Sequence, residues 1–171
     1  MDLMTNSSIA FLFPGQGSQA VGMGGALAAS HSVAKQVFEE VNDALAENLF
    51  AIMQNGPEDI VRMTRNAQPA LFATSMAAVR VLEAELGAPL TERGGMAAGH
   101  SLGEYAALAT SGSLTISDAA RLLRLRGDAM QSAVPVGEGA MAAVLGADEV
   151  QVKNILDEAK SSGLVQIAND N

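Results

Sequence analysis

The segment Gly99-His100-Ser101-Leu102-Gly103 constrains the fold of this chain more than any other feature of its sequence. A run of small residues typical of a strand precedes it, and the alanine-rich stretch 104–109 that follows is typical of a helix. A serine in a G-x-S-x-G pattern between a strand and a helix is the arrangement of a nucleophile elbow, a strained turn that exposes the serine hydroxyl. The flanking glycines relieve crowding in such a turn, and the helix start places free N–H groups beside the serine. The plainer alternative is a glycine-bearing turn whose serine has no special role.

Strand and helix patterns alternate along the chain, which predicts an α/β fold with a mainly parallel sheet. The apolar run Ile9-Ala10-Phe11-Leu12-Phe13, stopped by Pro14-Gly15, is typical of a buried parallel strand, and 94–99 is the second predicted strand. Periodicity and capping residues predict helices over 33–49, from Pro57, from Gln68-Pro69-Ala70 to Leu86, over 102–110, and over 118–131 after an N-cap at Ser117. The apolar faces expected for two of these helices are Val37, Val41, Ala44 and Leu45, and Leu71, Ser75, Ala78 and Leu82.

The texture of the sequence changes after about residue 134, where Pro135-Val136-Gly137-Glu138-Gly139 resembles a linker. Beyond it we predict a strand over 140–145, a helix over 148–161 and a strand over 164–168. The sequence therefore predicts a large domain over 1–134 and the first βαβ part of a smaller domain over 138–171.

Composition and charge exclude several classes of function. The chain has 171 residues and a net charge of −9, which argues against a general nucleic-acid binder because such proteins need a basic surface. No apolar run approaches the roughly 20 residues of a membrane span, and there is no cysteine. We therefore expect a soluble cytoplasmic protein with no nucleic-acid or membrane partner.

A second glycine-rich loop, Pro14-Gly15-Gln16-Gly17-Ser18-Gln19, follows the first predicted strand. It formally fits a dinucleotide-binding fingerprint, but the acidic candidates about 20 residues on, Glu39 and Glu40, lie in a helical pattern rather than at a strand end. Alternatively the loop supplies an oxyanion-hole donor, the N–H of Gln16, to accompany the N–H of Leu102 after the nucleophile. A tight loop without such a role is also consistent with the motif alone.

Arg126 falls on the apolar side of the predicted helix 118–131 when residues are placed at about 100° each. A buried arginine needs an anionic partner, either a structural Asp or Glu or a substrate carboxylate that its planar fork can grip. The residue pattern leaves these two roles open. The polar face comprises Arg121, Arg124 and Asp128, which we expect to be solvated, and the apolar face comprises Leu122, Leu125 and Ala129, with Leu123 and Met130 beside it.

Taken together, these segments resemble malonyl-CoA:acyl carrier protein transacylases of bacterial fatty-acid synthesis. The resemblance covers nearly the whole chain from Ile9. The segments that carry it are 13–19, 64–70, Gly99-His100-Ser101-Leu102-Gly103-Glu104-Tyr105, 121–127, Gly139-Ala140-Met141-Ala142-Ala143-Val144 and 168–171.

The resemblance implies a ping-pong transfer of a malonyl group from malonyl-CoA, through an ester on Ser101, to the phosphopantetheine thiol of acyl carrier protein, with no cofactor and no metal. It implies that Gln16 and Leu102 form the oxyanion hole and that Arg126 binds the malonyl carboxylate, with His100 and Met130 as further candidate substrate-binding residues. It also implies an α/β-hydrolase-like large subdomain and the start of a small ferredoxin-like one.

The chain has two histidines, and neither is expected to be the general base. His100 adjoins Ser101 and should point away from it, packing behind the turn, and His31 has the pattern of a surface residue. Family members are nearly twice as long, and their catalytic histidine lies beyond this chain, so we expect a missing segment or a second chain to complete the active site. The alternatives are a serine esterase or thioesterase with the same elbow, an inactive fragment that only binds carrier protein, and, last, a dinucleotide-binding module.

Overall fold

The computed structural model describes residues 9–134 and 137–169 of the chain, which divides into two units, Met1–Val136 and Gly137–Asn171. The elements of the first unit are β1 (Ala10–Phe13), α1 (Gly25–Ser30), α2 (Ser32–Leu45), α3 (Leu49–Asn55), α4 (Glu58–Arg62), α5 (Thr64–Leu86), a 3₁₀ turn (Leu90–Glu92), β2 (Met96–Gly99), α6 (Gly103–Thr110) and α7 (Ile116–Ala133). The second unit has α8 (Glu149–Ala159) and a 3₁₀ turn (Lys160–Ser162).

Strands β1 and β2 form a parallel pair, which confirms both predicted strands of the first unit. Their register pairs Ala10 with Met96 and Phe13 with Gly99, so the two strands end together at the elbow. Alternation along β1 buries Phe13 against the helices and leaves Leu12 77% exposed on the opposite face. The sheet of the described residues is therefore covered on one face, and its other face is apolar and open.

Helix α5 lies at the centre of the first unit, where it packs against α2 and α7. Its buried face comprises Phe72, Ala73, Met76 and Ala77. This buried face differs from the predicted one, which comprised Leu71, Ser75, Ala78 and Leu82. Of these four residues Leu71 is buried, whereas Ser75, Ala78 and Leu82 line an open groove of about 320 Å³ beside β1. On α2 the predicted face is confirmed at Val37 and Val41, which are buried.

Helix α5 begins at Thr64 rather than at the predicted Gln68-Pro69-Ala70, so Pro69 lies inside it. Proline has no N–H to donate to the carbonyl four residues earlier, which is that of Arg65. In this structure Arg124 Nη1 donates to the Arg65 carbonyl oxygen at 2.8 Å. A side chain from α7 therefore satisfies the acceptor that Pro69 leaves free, and the helix continues through the proline.

The predicted buried face of α7 is wrong. The buried residues are Ile116, Ala119, Ala120, Leu123 and Gly127, whereas Leu122 and Leu125 are exposed. Small side chains let α7 approach α5 closely: a Cβ atom at Gly127 would lie 2.7 Å from Arg65 Cα. The helix also begins earlier than predicted, because Thr115 rather than Ser117 is the N-cap and accepts from the Asp118 N–H.

In the second unit the structure contains the predicted helix but neither flanking strand. Asp148 caps α8 in a capping box with Gln151, which fixes the start of the helix. Segments 140–145 and 164–168 have no regular structure, because within the described residues neither segment meets a strand with which its backbone could pair. The linker predicted over 135–139 lies partly outside the described residues. Among the described helices, none combines the length and the apolar character that a membrane span would need.

Candidate active site

Ser101 lies in the turn between the end of β2 and the start of α6, as the elbow pattern predicts. Its φ is 55°, in the left-handed region that side-chain-bearing residues avoid. A non-glycine residue held there costs about 1–2 kcal/mol, and residues with strained backbone concentrate at functional sites. The conformation presents the Ser101 hydroxyl at the N-terminus of α6, where N–H groups and the helix dipole favour negative charge.

Both glycines of the elbow are required by close backbone contacts. A Cβ at Gly99 would overlap the backbone of Gly103, and a Cβ at Gly103 would overlap the carbonyl of Phe13 and lie 2.8 Å from the carbonyl oxygen of Pro14. The elbow therefore packs directly on the loop that leaves β1, and the spacing of the two glycines follows from that packing.

The loop after β1 is fixed beside the elbow. Gln16 Nε2 donates to Thr64 Oγ1 at 2.9 Å, at the first residue of α5, and Gly17 N–H donates to Gln19 Oε1 at 2.8 Å. Within the described residues, the backbone N–H groups of Gln16 and Leu102 donate no hydrogen bond. Two N–H groups from different elements, one of them directly after the serine, therefore have no acceptor among the described residues.

The dinucleotide alternative for this loop has no structural support. In that fold a helix begins within the glycine motif and places its N-terminus on the phosphates. Here the first helix after the motif begins only at Gly25. Glu39 and Glu40 lie within α2, as the sequence pattern predicted, and not at a strand end.

Arg126 comes from α7 and contacts the serine directly. Its Nη2 donates to Ser101 Oγ at 2.9 Å and its Nη1 donates to Gln68 Oε1 at 2.5 Å. The side chain is half-buried rather than buried, and no carboxylate pairs with it among the described residues. Of the two roles that the sequence left open, the structural salt bridge is therefore absent from the part of the chain that the structure describes.

Sequence reasoning missed Gln68, which was treated only as a helix start. Its side chain is fully buried, between Arg126 and Met130: Nε2 lies 3.3 Å from Met130 Sδ. The available signal was a polar residue within an otherwise apolar stretch of α5. Met130 is thereby placed one turn from Arg126, on the same side of α7, and remains partly exposed.

Arg124 is mostly shielded from solvent, which corrects the expectation of a solvated face. Its side chain is 12% exposed and pairs with Glu47 at 2.8 Å, and Asn66 Oδ1 accepts from it at 2.7 Å. Burial lowers the pKa of Arg124 from its ordinary value, and the Glu47 carboxylate opposes that shift. Arg121 stays exposed, in an ion pair with Asp118, as expected.

A second ion pair continues this network at the start of α5. Arg65 Nε donates to Asp128 Oδ1 at 2.7 Å, and this hydrogen bond raises the pKa of Arg65. Arg65 and Arg124 thus join α7 to α5 on either side of Gly127. These contacts fix the position of α7, and with it the point from which Arg126 reaches the serine.

Neither histidine contacts the serine hydroxyl in the described residues, whose hydrogen bond there is to Arg126. The His100 backbone N–H donates to the Phe13 carbonyl at 3.0 Å, and its ring lies against Gly15, where a Cβ would be 2.5 Å from Nδ1. This agrees with the expectation that His100 packs at the elbow. His31 joins α1 to α2. The described residues also include no cluster of His, Cys, Asp or Glu that could hold a metal ion.

Comparison with known proteins supports the arrangement. Residues 10–169 match the family model of the acyl transferase domain. The chain belongs to this family. A malonyl CoA-acyl carrier protein transacylase of Bacillus subtilis (strain 168) is 46% identical over 166 residues, which cover 96% of this chain and 51% of the relative.

Solved structures of malonyltransferases are similar to this chain in fold. The acyl-carrier-protein-S-malonyltransferase from Bartonella henselae superposes with a TM-score of 0.87 at 54% identity, over 95% of this chain and 51% of that one. A malonyl-transacylase in complex with its type II PKS acyl-carrier protein gives a TM-score of 0.77 at 42% identity, over 90% and 48%. The α/β class and the resemblance to malonyl transacylases are confirmed, and this acyl transferase chain spans about half the length of the relatives it matches.

Proposed function

We propose that this chain supplies the nucleophile and the carboxylate-binding group of a malonyl-CoA:acyl carrier protein transacylase. The observation that carries the proposal is the contact between Arg126 and Ser101, 2.9 Å between Nη2 and Oγ. A guanidinium with no carboxylate partner in the described residues, beside a serine in an elbow, suits an acyl group that ends in a carboxylate. The names of the relatives support the same substrates.

In the first half-reaction Ser101 Oγ attacks the thioester carbonyl carbon of malonyl-CoA. The C–S bond breaks, coenzyme A leaves as its thiol with the proton that the serine loses, and a malonyl ester remains on the serine. Arg126 binds the free carboxylate and so fixes the carbonyl carbon at the hydroxyl, which converts an encounter into a positioned reaction.

In the second half-reaction the phosphopantetheine thiol of acyl carrier protein attacks the ester carbonyl. The C–O bond to Ser101 breaks, the new thioester forms, and the serine oxygen regains a proton. Both tetrahedral intermediates carry a negative oxygen, for which the free N–H groups of Gln16 and Leu102 are the proposed donors. Losing one oxyanion donor in other serine enzymes slows the reaction about 10²–10³-fold.

The proton of Ser101 needs an acceptor that the described residues do not place beside it. We propose that a histidine from a further segment, or from a second chain, supplies this base. The same segment would cover the open side of the sheet, where Leu12 and Met96 are 77% and 68% exposed, and the adjoining groove. Exposed apolar residues on one face of a sheet are suited to packing against a further element.

Three finer assignments belong to the same proposal. The first unit is an α/β-hydrolase-like subdomain, and 138–171 begins a ferredoxin-like one, whose strands at 140–145 and 164–168 would form once partner strands are present. A cytoplasmic location remains a prediction from composition.

The test is an intact-mass measurement before and after mixing the protein with malonyl-CoA, followed by peptide mapping. We expect one malonyl group on Ser101 that is removed by acyl carrier protein with its phosphopantetheine arm. Ser101→Ala should abolish the adduct, and Ser113→Ala, which changes an exposed serine away from the elbow, should not. An adduct elsewhere, or one that water removes as fast as carrier protein does, would contradict the transacylase and favour the esterase alternative.

Arg126→Ala tests whether Arg126 binds the malonyl carboxylate, which distinguishes the transacylase from the esterase alternative. In a transacylase it should weaken use of malonyl-CoA and leave acetyl-CoA unaffected or improved, because acetyl has no carboxylate to bind. Equal loss with both thioesters would mean that Arg126 does not bind the carboxylate.

A further inference from the structure

The side chain that holds Arg126 is an uncharged amide in a fully buried position. Gln68 Oε1 accepts from Arg126 Nη1, while Arg126 Nη2 faces Ser101. Buried arginines usually meet a carboxylate, as Arg124 meets Glu47 in this same chain. The amide at residue 68 therefore distinguishes the setting of Arg126 from that of Arg124.

An amide at residue 68 and a carboxylate at residue 68 would give the pair with Arg126 different net charges. A carboxylate at residue 68 would form a salt bridge and neutralise the guanidinium, so a substrate carboxylate would meet little net charge. An amide oxygen uses one N–H without cancelling any charge, and a guanidinium has five N–H donors in a fixed fork. The remaining donors and the full positive charge stay available at the serine.

The orientation of the amide is also determined. Gln68 lies in α5 just before Pro69, with its Nε2 3.3 Å from Met130 Sδ. Turning the amide over would place its NH₂ group against the guanidinium, two donors facing each other, and would lose the one strong contact of Oε1. Gln68 is fully buried, so bulk water does not reach its amide to replace a lost contact.

We infer that Gln68 is a positioning and specificity-determining residue, which holds the Arg126 guanidinium at Ser101 while leaving its charge unneutralised, so that the site selects acyl groups that end in a carboxylate. This inference rests on the proposed function. Gln68→Glu, which is nearly isosteric, should convert the site to one that favours neutral acyl groups. Gln68→Leu should leave Arg126 charged but free to rotate.

The first experiment measures the position of Arg126 without any substrate. Side-chain NMR of the full chain follows rotation about the Arg126 Cζ–Nε bond, assigned with Arg126→Lys. We expect slow rotation in the unsubstituted chain and in Gln36→Glu, which adds the same charge on the surface of α2, and fast rotation in Gln68→Leu. Rotation that is equally fast before and after the Gln68 substitution would overturn the positioning role, whether or not malonyl-CoA binds.

The second experiment measures equilibrium binding of malonyl-CoA and acetyl-CoA to the same variants by calorimetric titration. Hydrogen bonds to charged groups are worth enough that Gln68→Glu should lower the malonyl-to-acetyl affinity ratio about tenfold to hundredfold, and Gln36→Glu should leave it within about twofold. If the unsubstituted chain has no preference for malonyl-CoA, the proposed function fails. If it has that preference and Gln68→Glu retains it, only the inference about Gln68 fails.

Discussion

The left-handed backbone conformation of Ser101 should lower the stability of the folded protein by a measurable amount. Its φ of 55° costs a side-chain-bearing residue about 1–2 kcal/mol, a cost that glycine escapes. Glycine in turn destabilises by about 0.5–1 kcal/mol, because it loses more backbone freedom on folding. Ser101→Gly should therefore be more stable than Ser101→Ala by up to about 1.5 kcal/mol.

A matched pair at Ser113 isolates the strain. Ser113 is exposed and lies outside the left-handed region, so there glycine should be less stable than alanine by about 0.5–1 kcal/mol. Both Ser101 variants lose the hydroxyl that accepts from Arg126, so that loss cancels in the comparison. The difference between the two alanine-to-glycine steps should be about 1–2 kcal/mol, which is the strain itself.

Urea unfolding followed by far-ultraviolet circular dichroism measures all four variants, because the first unit is mainly helical. In thermal unfolding of the same variants, a difference of 1 kcal/mol would correspond to a Tm shift of roughly 2–6 °C in a unit of this size. If glycine destabilises at Ser101 as much as it does at Ser113, the backbone there is unstrained and the elbow argument fails. The more stable Ser101→Gly protein should form no malonyl ester, a trade-off of stability against activity.

Three further outcomes follow from the same contacts. Gly103→Ala should destabilise the protein by about 2–3 kcal/mol in urea unfolding, because its Cβ would overlap backbone at the end of β1; a neutral result would contradict the close packing of the elbow. Glu47→Gln should cost about 1–3 kcal/mol because it leaves the mostly buried Arg124 without a carboxylate, whereas Glu58→Gln, at an exposed pair, should change stability by no more than about 0.5 kcal/mol. The 171-residue chain alone should acylate Ser101 about 10²–10⁴-fold more slowly than a full-length relative. The acylation rate should keep rising with pH, whereas a plateau above about pH 6.5, the ordinary pKa of a histidine side chain, would indicate a histidine base within the chain.

The elements predicted correctly are those whose sequence signal is local and steric. The apolar run before Pro14 indicates β1, and the proline marks where the strand ends. Gly99 and Gly103 indicate the elbow, because a side chain at either residue would overlap the neighbouring backbone. A prediction based only on hydrophobicity gave the wrong buried face for α7. The close approach of α5 favours alanine and glycine at the contact, so the leucines of α7 lie outside it.

Residues that depend on distant partners could not be found in this way. Arg124 satisfies the carbonyl that Pro69 leaves unpaired, a relation between two helices that no local pattern displays. The sequence shows Gln68 only as a polar residue in an apolar stretch, and its contact with Arg126 becomes apparent once α7 is packed against α5. The strands predicted at 140–145 and 164–168 have suitable residues, but a strand is stable only with a partner, and the described residues provide none.

The groups proposed to act with Ser101 share one chemical property, which limits what they can do. Arg126 and the backbone N–H groups of Gln16 and Leu102 are all hydrogen-bond donors, and a guanidinium has no acceptor atom. Together with the N-terminus of α6, they would stabilise negative charge on a substrate carboxylate and on an oxyanion. None of them would remove the proton of Ser101. Under the proposed function, such a site would bind and orient a malonyl thioester, and the step for which the described residues offer no group is proton transfer rather than recognition.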